Sequence, residues 1–218
     1  MFPQSTPKNT AAFRRKLLAW FRTAGRDLPW RRTRDPYRVL VSEFMLQQTQ
    51  VSRVLDFYPR FLKRYPDLAT LARARPRAVR EAWEGLGYYR RAANLHRLAR
   101  EVVRHHAGSL PSDPRELDAL PGVGPYTAGA VATFAYERPA AAVDTNVRRV
   151  LGRVFSCTTG KEVRATASAM QPRRGKTAWS FNQALMELGA LVCTARAPKC
   201  GECPVRAYCD WYRANRSR

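Results

Sequence analysis

Three groups of residues in this 218-residue chain have types and spacings that could do chemistry. The first is Leu-Pro-Gly-Val-Gly at 120–124, followed after a helical stretch from Pro125 by Asp144 in Val-Asp-Thr-Asn-Val. Two glycines one residue apart permit a tight turn with positive φ and a close backbone approach to a ligand. Exposed amides opening a helix N-terminus make a seat for a phosphate, and Asp144 stands at the N-cap of the next helix. Such a turn can equally be only a turn, and such an aspartate only a cap. The second is Glu43, which follows Val39 and Leu40 and precedes Leu46 on the apolar stripe of a helix. Desolvation of a carboxyl raises its pKa and suits it to act as a general acid; the alternative is a core-edge glutamate paired with an arginine of another helix. The third is Cys193, Cys200, Cys203 and Cys209, spaced C-x6-C-x2-C-x5-C, with Cys157 apart as a small buried hydrophobe.

Charge indicates the kind of partner. Lys and Arg number 39 against 17 Asp and Glu, a formal net charge of +22, and this points to a polyanion held through phosphate contacts with counterion release. Arginine dominates, favouring bidentate contacts. Met1 to Asn9 is polar and reads as a disordered lead, Leu17–Phe21 is too short for a signal peptide, and no run of about 18 apolar residues occurs. The expectation is a soluble, membrane-free, cytoplasmic protein, associated with the nucleoid if bacterial.

The elements that must position these residues read almost entirely as helices. Phe13, Leu17 and Phe21 recur every four residues in a first helix that ends before Gly25, and Asp35-Pro36 opens a second that the pattern carries to Gln50. Helices follow from Val51, Asp67, Pro76, Ala92 and Asp113, and then over 147–155, 161–170 and 179–192. Gly85-Leu-Gly-Tyr-Tyr reads as an exposed apolar tip between glycines, either a hydrophobic C-cap or a wedge that fills the gap left by an extruded base. His96, His105 and His106 lack metal spacing and read as surface residues. The basic loop Arg173-Arg174-Gly175-Lys176 is a candidate phosphate contact or a solvated turn. For the cysteines, zinc would prefer two close pairs and only one occurs, whereas four unevenly spaced thiolates suit a [4Fe–4S] cube.

Three motifs, in order, resemble the helix-hairpin-helix DNA glycosylase superfamily over roughly residues 15–212. Ser42-Glu-Phe-Met-Leu-Gln-Gln-Thr-Gln-Val51 is similar to the signature of MutY-type adenine DNA glycosylases, Gly85-Leu-Gly-Tyr-Tyr89 with Arg91, Asn94 and Leu95 matches the same family, and the cysteine spacing matches the cluster loop of endonuclease III and MutY relatives. The resemblance implies an all-α, two-lobed helix-hairpin-helix glycosylase fold, with a helical barrel over 29–136 and an iron–sulfur domain from 10–28 plus 137–218. DNA would lie in the groove between the lobes with its target nucleotide flipped out. It further implies that Glu43 protonates the departing base, that Asp144 faces the sugar, and that Tyr126 and Asn146 support them. Arg26, Leu28, Trp30, Arg31 and Glu187 would shape the base pocket. Gln48 and Thr49 would sit in the disturbed duplex, Leu86 and Tyr88 would intercalate, and Gly122, Val123 and Gly124 would grip the DNA backbone. Cys193, Cys200, Cys203 and Cys209 would hold a structural [4Fe–4S] cluster that helps place Lys199 and Arg206 on DNA.

Bifunctional relatives carry a lysine where this chain has Tyr126, which implies a monofunctional glycosylase of base excision repair. Asp144-Thr145-Asn146 departs from the usual Asp-Gly-Asn. The chain ends nine residues after Cys209, where full-length MutY proteins continue into a domain that reads 8-oxoguanine, so that domain is expected to be lacking and discrimination of the opposite base is open. The expectation is removal of adenine opposite 8-oxoguanine or guanine from double-stranded DNA by a monomer. The alternatives are a thymine or uracil glycosylase acting on T·G or U·G, or a non-catalytic iron–sulfur DNA-binding protein.

Overall fold

A computed structural model of the chain describes residues 10–215; the lead expected over 1–9 lies outside them. Among the described residues every regular element is helical and there is no strand, so the fold is all-α as expected. No helix among them is long and apolar enough to cross a membrane. Contacts divide the chain into two compact units, one from Asp27 to Tyr136 and one combining the chain up to Arg26 with the chain from Glu137 onward.

The first of these units is organised around α2 (Pro36–Leu46), which packs on α3 (Val51–Arg64), α6 (Arg90–His105) and α8 (Pro125–Phe134). Asp35 accepts from the Arg38 amide and Pro36 occupies the first turn, so the helix begins where the cap and the proline dictate. From Val39 to Met45 every residue is buried. A helix enclosed on all sides is a rigid platform, and whatever polar group it carries must be held by neighbours. Between α3 and α6 come α4 (Leu68–Arg73), which packs on α6, and α5 (Pro76–Ala82). Trp83, Phe44, Phe61 and Leu98 fill the interior. Then α7 (Pro114–Asp118), a turn, and α8 form the helix-hairpin-helix.

In the other unit α11 (Gly175–Leu191) packs on α1 (Thr10–Ala24) and α9 (Thr145–Phe155), and α9 also meets α10 (Gly160–Ala169) and α12 (Asp210–Ala214). Phe13, Leu17, Val150, Leu151, Phe181 and Leu188 make its core.

Four local expectations are corrected. The second helix stops at Leu46 instead of Gln50, because Gln47 is extended and Gln48 is left-handed at φ 54°. Leu86 is buried at 5 % exposure, so the exposed apolar side chains of the 85–89 tip are Tyr88 and Tyr89. His96 is buried, and desolvation pushes its pKa down. Arg174 is the N-cap of α11, which begins at Gly175, so half of the expected basic loop is helix.

Candidate active site

Glu43 sits on the third turn of α2 and is 4 % exposed. Its partner comes from α8: the Tyr126 hydroxyl donates to Glu43 Oε2 at 2.7 Å. Tyr126 is in reach because Pro125 starts α8 immediately after the glycine turn, which puts the phenol in the first turn. Next to it, Gln47 Nε2 lies 3.5 Å from Thr127 Oγ1. In the hairpin, Gly122 has φ 76° and its missing side chain leaves room for Asn94, which a Cβ would meet at 2.6 Å. Gly124 is extended and caps α8 with no atom near a hypothetical Cβ. Only the first glycine of the pair is therefore required by the turn itself.

Leu28 and Trp30 are buried in the short segment that packs on α2, with Trp30 edge-on to Tyr58 at 5.5 Å, and Arg31 is half-buried. Gln48, Thr49 and Leu86 line one open depression, and Gln48, Tyr88, Arg91 and Asn94 line another.

In the other unit Asp144 caps α9, accepting from the Val147 amide at 2.7 Å and from the Asn146 side-chain amide at 2.8 Å. Burial pushes its carboxyl above the ordinary aspartate range, against the opposing pull of Val147, Asn146 and Arg149. Asn182, a buried residue that sequence reasoning missed, accepts from the Ala142 amide and donates to the Ala140 carbonyl, which pins the extended segment leading to Asp144. Glu187 is fully buried and takes the Arg26 guanidinium bidentately, at 2.7 and 3.0 Å, with the Arg26 amide at 2.9 Å. The hydrogen bond to Glu187 raises the Arg26 pKa further.

Two arginines on α9 were also missed. Arg149 donates to the Asn146 side-chain oxygen and to the carbonyls of Gly189 and Cys193, each at 2.7 Å. Arg153, one turn later, donates to Thr194 and Ala195 carbonyls and approaches Cys193 Sγ at 3.4 Å. The helix that Asp144 caps is thus fastened to the first cysteine of the cluster of thiols. The signal in sequence was two arginines four apart, which places them on one face, but nothing local names their acceptors.

Cys193, Cys200, Cys203 and Cys209 line one pocket, together with Val150, Leu188, Val192 and Val205. Among the described residues no three Cys, His, Asp or Glu side chains come together as they would around a single metal ion. Four thiols that line one pocket, with only one close pair in the sequence, suit an iron–sulfur cube better than one tetrahedral zinc. Burial, followed by the other three thiols, pushes Cys203 up to about 11, and burial raises Cys209 as well. A bound cationic centre reverses that preference, because a coordinating thiol is deprotonated outright. The residues present therefore fit an iron–sulfur cluster.

Residues 41–172 match the model of the HhH-GPD superfamily base excision DNA repair proteins. The chain belongs to that superfamily. Residues 193–209 match the iron-sulfur binding domain of endonuclease III. The chain is 47 % identical over 205 residues to an adenine DNA glycosylase of Mycobacterium tuberculosis, a match that takes in 91 % of this chain and 67 % of the relative. Among solved structures it resembles a thermostable thymine-DNA glycosylase, with TM-score 0.89 and 32 % identity over 96 % of this chain and 99 % of that one. It also resembles endonuclease III in a trapped DNA covalent intermediate, with TM-score 0.83 and 26 % identity over 99 % and 100 % of the two chains.

Proposed function

We propose that this protein is a monofunctional DNA glycosylase of base excision repair that removes mispaired adenine by hydrolysing its N-glycosidic bond. The observation that carries the reading is the Tyr126–Glu43 hydrogen bond inside a superfamily of base excision repair proteins. Hydrolysis breaks the bond between C1′ and the base nitrogen, the electron pair leaves with the base, and water adds at C1′. The purine departs readily only when protonated, and the sugar then carries oxocarbenium charge, so one acid and one anion are needed. Glu43 is the acid and Asp144 the anion. Tyr126 holds the Glu43 carboxyl by donating to one of its oxygens, and a phenol offers no amine for a Schiff base with the sugar. Asn146 orients Asp144 in the same way.

The net charge of +22 supports double-stranded DNA as the partner. Gln48 and Tyr88 enter the duplex, with Thr49 and Leu86 behind them, the hairpin turn of Gly122, Val123 and Gly124 takes the backbone, and Leu28, Trp30, Arg31, Arg26 and Glu187 shape the base site. The protein acts as a monomer. Cys193, Cys200, Cys203 and Cys209 would hold the [4Fe–4S] cluster, whose iron would neutralise their thiolates and tie together the loop they share.

Adenine is favoured by the 47 % identity to an adenine DNA glycosylase. A second reading, thymine or uracil release from T·G or U·G, is favoured by the match to the thymine-DNA glycosylase along 99 % of that chain. Single-turnover base release from A·8-oxoG, A·G, T·G and U·G duplexes, with and without alkali, decides between them. Adenine release with strand breaks only after alkali is expected. Thymine or uracil release would replace the substrate, breaks without alkali would overturn the reading of Tyr126, and no release from any duplex would favour a binding protein.

A further inference from the structure

Arg91, in the first turn of α6, is 7 % exposed and has no carboxylate within ion-pair distance among the described residues. A buried cation is expensive without such a partner. Its guanidinium is held instead by oxygens of the last turn of α2 and of two separate loops, the one that follows α2 and the one that precedes α6. Nη1 donates to the Phe44 carbonyl at 3.0 Å, to Met45 at 2.7 Å, and to Gln47. Nη2 donates to Thr49 Oγ1 at 3.0 Å, to the Leu86 carbonyl at 3.2 Å and to the Gly87 carbonyl at 3.1 Å. The guanidinium lies 5.6 Å from the Trp83 ring and 5.4 Å from that of Tyr88. A residue that served only to cap α2 would need the first two of these contacts and none of the last three.

The loops that Arg91 joins share a second property. Each carries a non-glycine residue in the left-handed region, Gln48 at φ 54° and Tyr88 at φ 47°. Such conformations persist only where the surroundings over-determine them, and they gather at functional positions. Gln48 lies between two of the six acceptors, Gln47 and Thr49, and Tyr88 follows directly on two more, Leu86 and Gly87. Both side chains are exposed, Tyr88 by 59 %, while the guanidinium beneath them is buried.

We propose that Arg91 is a positioning residue for base extrusion: a single guanidinium that sets the two loop tips, Gln48 and Tyr88, in the backbone conformations and mutual spacing from which they enter the duplex. This rests on the reading that those two residues penetrate the DNA. Duplex opening is then preorganised in the free protein. The planar fork is essential, because an ammonium cannot reach both loops with fixed geometry.

The test compares wild type with Arg91→Met and Arg91→Lys. It reads the folded fraction by circular dichroism, affinity for an undamaged duplex, single-turnover adenine release at saturating enzyme, and fluorescence of a 2-aminopurine beside the mispair, the last in a Glu43→Gln background that leaves the DNA intact. For folded Arg91→Met the expected result is release slowed on the order of a hundredfold, with most of the fluorescence rise lost and undamaged-duplex affinity unchanged. Arg91→Lys falls between, and it serves alone if the methionine variant does not fold. Wild-type fluorescence and rate in a folded Arg91→Lys protein would overturn the proposal, as would losses that merely track the folded fraction or undamaged-duplex affinity. Wild-type duplex opening without release of any base would defeat the glycosylase reading and leave Arg91 in place. Absence of both in wild type would remove the positioning role together with that reading.

Discussion

The Tyr126 hydroxyl donates to Glu43 Oε2 at 2.7 Å across 83 positions of sequence, tying the first turn of α8 to the buried face of α2. To the carboxylate that Glu43 becomes as it gives up its proton, such a hydrogen bond is worth about 1.5–3 kcal/mol, and here it fixes the orientation of the proposed acid as well. Tyr126→Phe is expected to slow single-turnover base release by roughly 10- to 100-fold, with the helical circular dichroism retained. Glu43→Gln, which keeps the shape but carries no transferable proton, is expected to abolish release and still bind DNA. Full activity in Tyr126→Phe would show that the acid needs no such support.

Asp144 is expected to make the activity pH-dependent with a definite sign. Its carboxyl is raised from 3.8 by burial, and the proposed reaction uses its ionised form. Release should therefore fall on acidification along a limb lying above the ordinary aspartate range. Stability runs the other way. A carboxyl raised in the folded state binds its proton more readily there, so its contribution favours folding at low pH and is lost as pH rises from 3.8 through the folded value. Arg149 lowers this pKa and holds Asn146. Arg149→Met should consequently move the acid limb to higher pH, slowing release more at pH 6 than at pH 8. A limb that stays in place while the rate falls uniformly would count against the electrostatic account.

The cysteine loop is expected to depend on its cluster for order. Beyond the thiols, it is held to α9 by the bonds of Arg149 and Arg153 to the backbone of Cys193, Thr194 and Ala195. Cys203→Ser should lose the visible absorbance of the cluster, lower Tm and speed amide exchange across 193–209, with little change in Asp27–Tyr136. Unchanged exchange in that loop would mean that the arginines alone order it.

Helix starts were legible because their causes are local. Asp35-Pro36, Asp67, Asp113-Pro114 and Gly124-Pro125 each announce a cap. Helix ends were less so. The apolar pattern runs past Leu46, but Arg91 captures the Phe44 and Met45 carbonyls and the chain turns out at Gln47. No residue near position 46 carries that information. Burial of Leu86 and His96 escaped for the same reason, since glycines around one and charges around the other make both look exposed. Glu43 was legible as misplaced from its apolar neighbours, whereas its phenolic partner came only from the resemblance. Arg149 and Arg153 act on carbonyls about 40 residues away, and a single sequence reads them as surface charge.

The two hairpin glycines should separate folding from binding. Gly122 has φ 76°, and a Cβ there would meet Asn94 Cβ at 2.6 Å. A left-handed conformation costs a residue with a side chain about 1–2 kcal/mol, and the clash adds to it. Gly122→Ala should therefore lower Tm by several degrees and weaken duplex binding as the turn distorts. At Gly124 the backbone is extended and nothing lies within 4 Å of the added methyl, so Gly124→Ala should leave Tm unchanged. If the amides at the start of α8 receive a phosphate, the same methyl obstructs that approach, and duplex affinity should fall. Calorimetry of both variants, with duplex affinity at several salt concentrations, checks the pair. Wild-type affinity in Gly124→Ala would show that only the first glycine matters, and for the fold alone.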